Sequence, residues 1–271
     1  MHAQTDTVHD TRTTTNVIAD TPQGHPDKTI VVGAHLDSVL AGPGINDNGS
    51  GTATILETAL QMSKLHITPR QQVRFAFWGA EESGLLGSTH YVEDLSDAAL
   101  EEIYANLNFD MLGSPNYVRF VYDGDGSATG TAGPGGSAQI EAIFNNYFAG
   151  NGLPTAPTAF DGRSEYGPFI DVGIPAGGLF SGAEGIKAAE EAAIFGGTAG
   201  APYDSCYHQA CDTVNNLSSK ALNEFGDAVA DAVLTLARTK TGIFEDGSRL
   251  PARKQARSVD QFANHGNQAA A

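Results

Sequence analysis

Apolar residues recur along this chain in two rhythms, short unbroken runs and stripes at helical spacing. The run T-I-V-V-G-A at residues 29–34 is continuously apolar and ends in a small residue, which predicts a strand buried on both faces. Residues 13–19, 73–78, 107–111 and 174–180 predict four further strands. A helical stripe begins at Thr52, with Ile55, Leu56, Ala59 and Leu60 on one face. A second helix is predicted over 139–149, where Ile140, Ile143, Phe144, Tyr147 and Phe148 fall at helical spacing and Gly150 stops the chain. A third, over 219–238, aligns Leu222, Phe225, Val229, Val233 and Leu236. These stripes face a core.

Strands alternating with helices predict an α/β fold, a three-layer sandwich with a mostly parallel mixed sheet and helices on both faces. Residues 123–136 are Gly-rich but lack a following Lys-Ser/Thr, so they read as a flexible loop and not as a phosphate cradle. No internal repeat is visible. Residues 1–240 read as one domain, and the polar stretch 241–271 as a frayed tail.

Composition narrows the choice of partners. The 271 residues are enough for one large domain, and 41% apolar content supports a real core. Lys and Arg total 15 against 32 acids, a formal charge of -17, which argues against nucleic acid. No apolar run approaches the roughly 20 residues of a membrane helix. The first twenty residues are polar and contain no apolar signal core.

In parallel sheets, ligands gather at the carboxyl ends of the strands. His35 follows the run ending at Ala34, Glu81 and Glu82 follow the one ending at Trp78, and Asp110 closes another. Asp47, in the turn N-D-N-G-S-G, and His208 come from loops able to reach the same rim. Two imidazoles and three carboxylates suit a pair of divalent metals, zinc best of all. Such a pair can activate water and polarise a carbonyl for amide hydrolysis. Glu81, beside a ligand without needing to be one, is free to move a proton. Asp37 is placed to accept the second N–H of His35 and fix its tautomer.

Each of these residues alone is weak evidence, since strand-end histidines are more often structural and paired acids more often solvated. The five together carry the argument. His2, His9, His25, His66, His90 and His265 lack such a setting and read as surface residues. Cys206 and Cys211 flank Tyr207 and His208, and admit a disulfide, a metal site or a free pair. A bridge this short would contribute less than the ~3 kcal/mol of a 15-residue loop, so its value would lie in fixing His208. If oxidised, it implies an extracytoplasmic setting.

Several stretches closely resemble the secreted bacterial leucine aminopeptidases of metallopeptidase family 28. They are G-A-H-L-D-S-V (33–39), G-P-G-I-N-D-N-G-S-G (42–51), W-G-A-E-E-S-G-L-L-G-S (78–88), N-F-D-M-L-G-S-P-N (108–116), D-G-R-S-E-Y-G-P-F (161–169), P-A-G-G-L-F-S-G-A (175–183) and C-Y-H-Q-A-C-D-T (206–213). The resemblance implies two co-catalytic zinc ions, one on His35 and Asp110 and the other on Glu82 and His208, bridged by Asp47. It implies Glu81 as general base and then acid, Tyr207 as the phenol that hydrogen-bonds the oxyanion, and a Cys206–Cys211 disulfide. Met111, Gly162, Arg163 and Phe180 resemble the walls of an apolar side-chain pocket, with the backbone near Arg163 helping to recognise the free amine. A secreted monomer acting on peptides with a free N-terminus is the implied enzyme, and calcium dependence is left open. Family members begin with helices that pack on the sheet, and many carry a protease-associated domain inserted before the strand that resembles 13–19; neither is in this sequence. A glutaminyl cyclotransferase, a carboxypeptidase and a non-catalytic peptide-binding fragment are the alternatives. The intact ligand set and Glu81 favour hydrolysis.

Overall fold

The computed structural model describes Thr7, residues 11–240, and residues 243, 244, 252 and 253. Seven strands form one mixed sheet in the order β1-β3-β2-β4-β7-β5-β6. Its centre is β3 (Gln71–Trp78), β2 (His25–His35), β4 (Ile103–Phe109) and β7 (Ala176–Phe180), all parallel. The edge strand β1 (Val17–Asp20) runs antiparallel to β3, and β5 (Phe120–Tyr122) antiparallel to β7, with β6 (Ala156–Thr158) beside it.

Alternation along the strands sorts side chains into two cores. Ile30 and Val32 of β2 with Leu107 and Phe109 of β4 face α1 (Gly51–Lys64), α4 (Ser137–Gly150) and α7 (Ser219–Arg238). Val31, Ala76 and Trp78 point the other way, toward α2 (Leu86–Asp94), α3 (Asp97–Glu102) and α5 (Gly167–Asp171). Helices therefore cover both faces of a mostly parallel sheet, as the alternation predicts.

Register decides where the chemistry lies. His35 pairs with Trp78 across β2 and β3, and Gly33 pairs with Asn108 across β2 and β4. The residues just past these strands, Glu81, Glu82 and Asp110, therefore sit level with His35 at one end of the sheet. Gly33 has a local reason: a Cβ there would stand 2.5 Å from Trp78 Nε1.

Several boundaries differ from expectation. The strand predicted over 13–19 forms only at Val17–Asp20, because Asn16 turns its side chain to Gly79 N (3.1 Å) and Gly87 O (2.9 Å). The strand predicted over 107–111 starts at Ile103 and ends at Phe109, leaving Asp110 just outside it. The one predicted over 174–180 starts at Ala176, after Pro175, which has no N–H to donate. In α1 the buried face is Ile55, Thr58 and Met62, while Leu56 and Leu60 point outward at 46% and 55% exposure. Short elements, namely β5, β6, α2, α3, α5 and α6 (Ala189–Phe195), had no clear periodic signal. The predicted tail from 241 lies outside the described residues except at four positions. There Ile243 and Ala252 are buried, and Arg253 N donates to Val172 O at 3.0 Å.

Candidate metal centre

Each ligand candidate reaches the rim by a different route. His35 is the last residue of β2 and is 1% exposed. Asp47 lies in the helical turn Ile45–Ser50 before α1, and its peptide to Asn48 is cis. Asp212 holds that turn, accepting from Asn46 N through Oδ1 (2.9 Å) and from Asp47 N through Oδ2 (3.1 Å). Gly42 lets the preceding loop approach the His208 loop, since a Cβ there would lie 2.2 Å from Gln209 O. Met111 and His208 both adopt left-handed backbone, at φ 54° and 56°, a conformation that side chains beyond Gly enter at a cost and that clusters at functional sites.

The side chains converge. His35 Nε2 stands 3.2 Å from Asp47 Oδ1 and 3.3 Å from Asp110 Oδ1. His208 Nε2 stands 3.2 Å from Asp47 Oδ2 and 3.1 Å from Glu82 Oε2. One oxygen of Asp47 thus faces each imidazole. His35 Nε2, Asp110 Oδ1 and Glu82 Oε1 are shielded from water yet make no hydrogen bond of acceptable geometry. Buried polar atoms left without partners, two of them 3.3 Å apart, are what bound cations would satisfy. The residues fit the metals that the sequence implies. Glu81 also comes close: one of its oxygens lies within 4.8 Å of ligand atoms from His35 and Asp110.

Electrostatics says the same. Burial would lower the pKa of His35, but Asp110, Asp37 and Asp47 raise it well above the ordinary value. The carboxylates of Asp47 and Glu82, accepting hydrogen bonds from its ring, raise His208 to about 10. Burial would raise Asp47, but His208 and His35 hold it at about 2. The cluster draws positive charge, and without metal it draws protons. Glu81 is raised well above the carboxylate range, mainly by burial, with Asp110, Glu165 and Glu82 adding and His35 opposing.

Asp37 acts differently from expectation. His35 Nδ1 bonds the main-chain oxygen of Asp37 at 3.1 Å, while the Asp37 carboxylate stands 3.7 Å away. That carboxylate instead accepts from Glu81 N (2.9 Å) and Glu82 N (3.2 Å), so it fixes the turn carrying both acids. Tyr207 stacks on His208 with ring centroids 3.8 Å apart, and Arg163 Nη2 donates to its hydroxyl at 3.2 Å. Arg163 also pairs with Glu184 at 2.9 Å. Cys206 and Cys211 are joined in a disulfide. His25, His66 and His90 are exposed, and His2, His9 and His265 lie outside the described residues.

Beside these groups opens a cleft of about 280 Å³. Met111, Gly162, Arg163 and Phe180 line it, together with Leu85, Tyr122 and Thr158. Behind it, Ser164 Oγ donates to Asp110 Oδ2 (2.7 Å) and accepts from Asn108 Nδ2 (2.8 Å). Glu165, fully buried, is pushed up to about 8, chiefly by burial, with the Ser88 hydroxyl and His35 opposing. Both residues lie inside the motif D-G-R-S-E-Y-G-P-F, but nothing in their spacing marks them out.

Glu165 makes stability depend on pH. Its folded pKa exceeds the ordinary 4.5, so its contribution is fully present below 4.5 and is lost as pH rises through about 8. Glu165→Gln, neutral throughout, should make metal-free protein more stable at pH 8.5 by on the order of a few kcal/mol, with no gain at pH 4.5. Thermal melts across that range check this, and parallel curves for variant and parent would contradict it.

The comparisons agree with the geometry. The model of peptidase family M28 matches residues 16–233. An aminopeptidase of Pseudomonas aeruginosa is 48% identical over 259 residues, covering 96% of this chain and 48% of that protein. Leucine aminopeptidase 2 of Arthroderma otae is 52% identical over 223 residues, covering 82% of this chain and 45% of its own. The crystal structure of BSAP, a zinc aminopeptidase from Bacillus subtilis, superposes with a TM-score of 0.67 at 29% identity, over 86% of this chain and 53% of that one. The chain spans about half the length of the curated relatives it matches. A family match over residues 16–233, more than half of the sequence, makes this chain a member of peptidase family M28.

Proposed function

We propose that this protein is a secreted, zinc-dependent aminopeptidase that removes large apolar residues such as Leu, Met or Phe from peptides with a free N-terminus. The observation that carries the reading is Asp47, whose two oxygens face two different imidazoles at 3.2 Å each. His35 and Asp110 would hold one zinc, Glu82 and His208 the other, with Asp47 shared. Bound there, the metals would supply Lewis-acid polarisation of the scissile carbonyl and a lowered pKa for water.

The chain's own residues do the rest. Glu81, held by Asp37 through the main chain, takes the proton of the attacking water and returns it to the leaving amine. The Tyr207 hydroxyl, oriented by Arg163, donates to the oxyanion. Met111, Phe180, Leu85 and Tyr122 surround an apolar first side chain. An ammonium group donates, so it needs acceptors. The N–H groups of Gly162 and Arg163 are already used on Tyr166 Oη and Asp161 Oδ1, which leaves the carbonyls of this stretch and the cleft carboxylates to receive it.

Zinc fits the mixed imidazole and carboxylate set, and the relatives' names support the substrate. A disulfide beside the centre suits a location outside the cytoplasm. No described helix is long and apolar enough to cross a membrane. We take the working form to be a monomer. Chelation followed by zinc, assayed on a panel of aminoacyl anilides, tests the activity. Zinc-restored cleavage favouring Leu, Met or Phe is expected. Release of C-terminal residues, or cyclisation of N-terminal Gln without anilide cleavage, would replace the reading.

Opening the disulfide should act on one side of the centre. A Cys206→Ser/Cys211→Ser variant is expected to lose less than ~3 kcal/mol of stability while binding the zinc at Glu82 and His208 more weakly. Competition with a calibrated chelator checks this. Affinity equal to the parent's at both sites would remove the bridge from any role in placing His208.

A further inference from the structure

A second group of acids gathers away from the cleft, in the Gly-rich loop between β5 and α4. Asp123 follows β5, Asp125 lies two residues on, and Glu141 stands on α4. One carboxylate oxygen from each lies within 4.8 Å of the others. The loop is organised around Asp123, whose Oδ2 accepts from Ala128 N (3.0 Å), Thr129 N (2.7 Å) and Thr129 Oγ1 (2.8 Å). Glu141 Oε2 accepts from Gly124 N (2.9 Å) and Asp125 N (3.3 Å).

One atom in the cluster lacks a partner. Asp123 is 0% exposed, and its Oδ1 is sealed from solvent without receiving a hydrogen bond. An ionised oxygen left so in a fold is costly, and a bound cation is among the few partners that remove the cost. Asp125 Oδ1 accepts from Ser127 N (2.8 Å) and Glu141 Oε1 from Asn145 Nδ2 (3.2 Å), and each carboxylate, with about four lone-pair directions, keeps acceptor capacity for an ion. Burial and the neighbouring acids also raise the pKa of Glu141, against the hydrogen bonds it accepts.

We propose that Asp123, Asp125 and Glu141 form a binding site for a hard divalent cation, calcium, separate from the zinc pair. The donors are all carboxylate oxygens, with no imidazole or thiolate, which favours calcium or magnesium over zinc. Two acids of an irregular loop with one from α4 suit calcium, which accepts varied geometry and completes its shell with water. The site has a consequence for the cleft. Asp123 adjoins Tyr122, and its N–H donates to Thr158 O at 2.9 Å; Tyr122 and Thr158 both line the side-chain pocket. The cation fixes that wall from behind.

The test uses the whole chain, stripped with chelator, reloaded with zinc alone and titrated with calcium chloride. One calcium per chain is expected beyond the zinc, with a Kd around 10⁻⁴–10⁻³ M, as in extracellular modules. The melting temperature should rise by roughly 2–4 °C or more at saturation and fall back with a calcium-selective chelator. An Asp125→Asn/Glu141→Gln variant keeps Asp123 for Thr129. It should retain its zinc content and calcium-free melting point while calcium affinity drops by roughly tenfold or more. No calcium binding up to about 10 mM, ten times the upper end of that range, would overturn the proposal. Undiminished binding in the variant would overturn it too, by placing the ion elsewhere. Zinc content, read in the same samples, separates either failure from a failure of the zinc reading.

Discussion

Glu81→Ala is expected to cut turnover by roughly 10²–10⁴ while both zinc positions stay filled, as loss of a general base does. The argument is positional. Glu81 is buried at the cleft, and its backbone is pinned by the Asp37 carboxylate at 2.9 Å, so its side chain has little freedom to be elsewhere. Its pKa is raised by burial and by Asp110, Glu165 and Glu82, which makes it a proton acceptor of useful strength; cations in the cleft would draw it back toward ionisation. An oxygen of Glu81 also lies within 4.8 Å of ligand atoms on His35 and Asp110, so a ligand role is geometrically open. Metal analysis of the variant distinguishes the two. Two zinc with lost turnover supports the base; loss of one zinc makes Glu81 a ligand; undiminished turnover removes it from the mechanism. Asp37→Asn is the milder companion, because it loosens the turn without touching the carboxylate.

Asp47→Ala is expected to do more. Its removal takes one ligand from each position at once, leaving His35 with Asp110 and Glu82 with His208. Losing an outer partner of a metal ligand costs 10–100-fold in affinity or activity, and a shared ligand should cost more than that on both sides. Zinc per chain should fall well below two and hydrolysis to background. Asp47→Asn separates charge from shape. Asp47 is held at about 2 by its two histidines, so it is an anion at every working pH, and the amide keeps its size while discarding that charge. The main chain of the turn stays anchored on Asp212, so folding is not at stake. Full zinc occupancy in Asp47→Ala would refute the bridge.

Much of the candidate site is legible at the ends of strands. His35, Glu81, Glu82 and Asp110 each follow an apolar run, and in-register parallel strands necessarily bring such positions to one rim. The family resemblance supplied what periodicity could not, the choice of Asp47 and His208 among many loop residues. Three features stayed hidden, each for a physical reason. Tyr122 and Thr158 arrive on strands of three residues, too short to show alternation. Leu56 and Leu60 fit a helical stripe, yet only the Ile55–Thr58–Met62 side of α1 meets the sheet, because sequence spacing fixes a face but not its direction. A two-residue offset offers the histidine both the carboxylate and the carbonyl of Asp37, and spacing alone does not say that Nδ1 takes the carbonyl. The Gly-rich loop read as loose is instead organised on Asp123.

Crystals of the zinc-loaded protein, measured at the zinc absorption edge, test the central claim most directly. The account predicts two anomalous peaks, one touching His35 and Asp110, the other Glu82 and His208, with one oxygen of Asp47 on each. A single peak, or two that leave Asp47 in contact with only one, would contradict it.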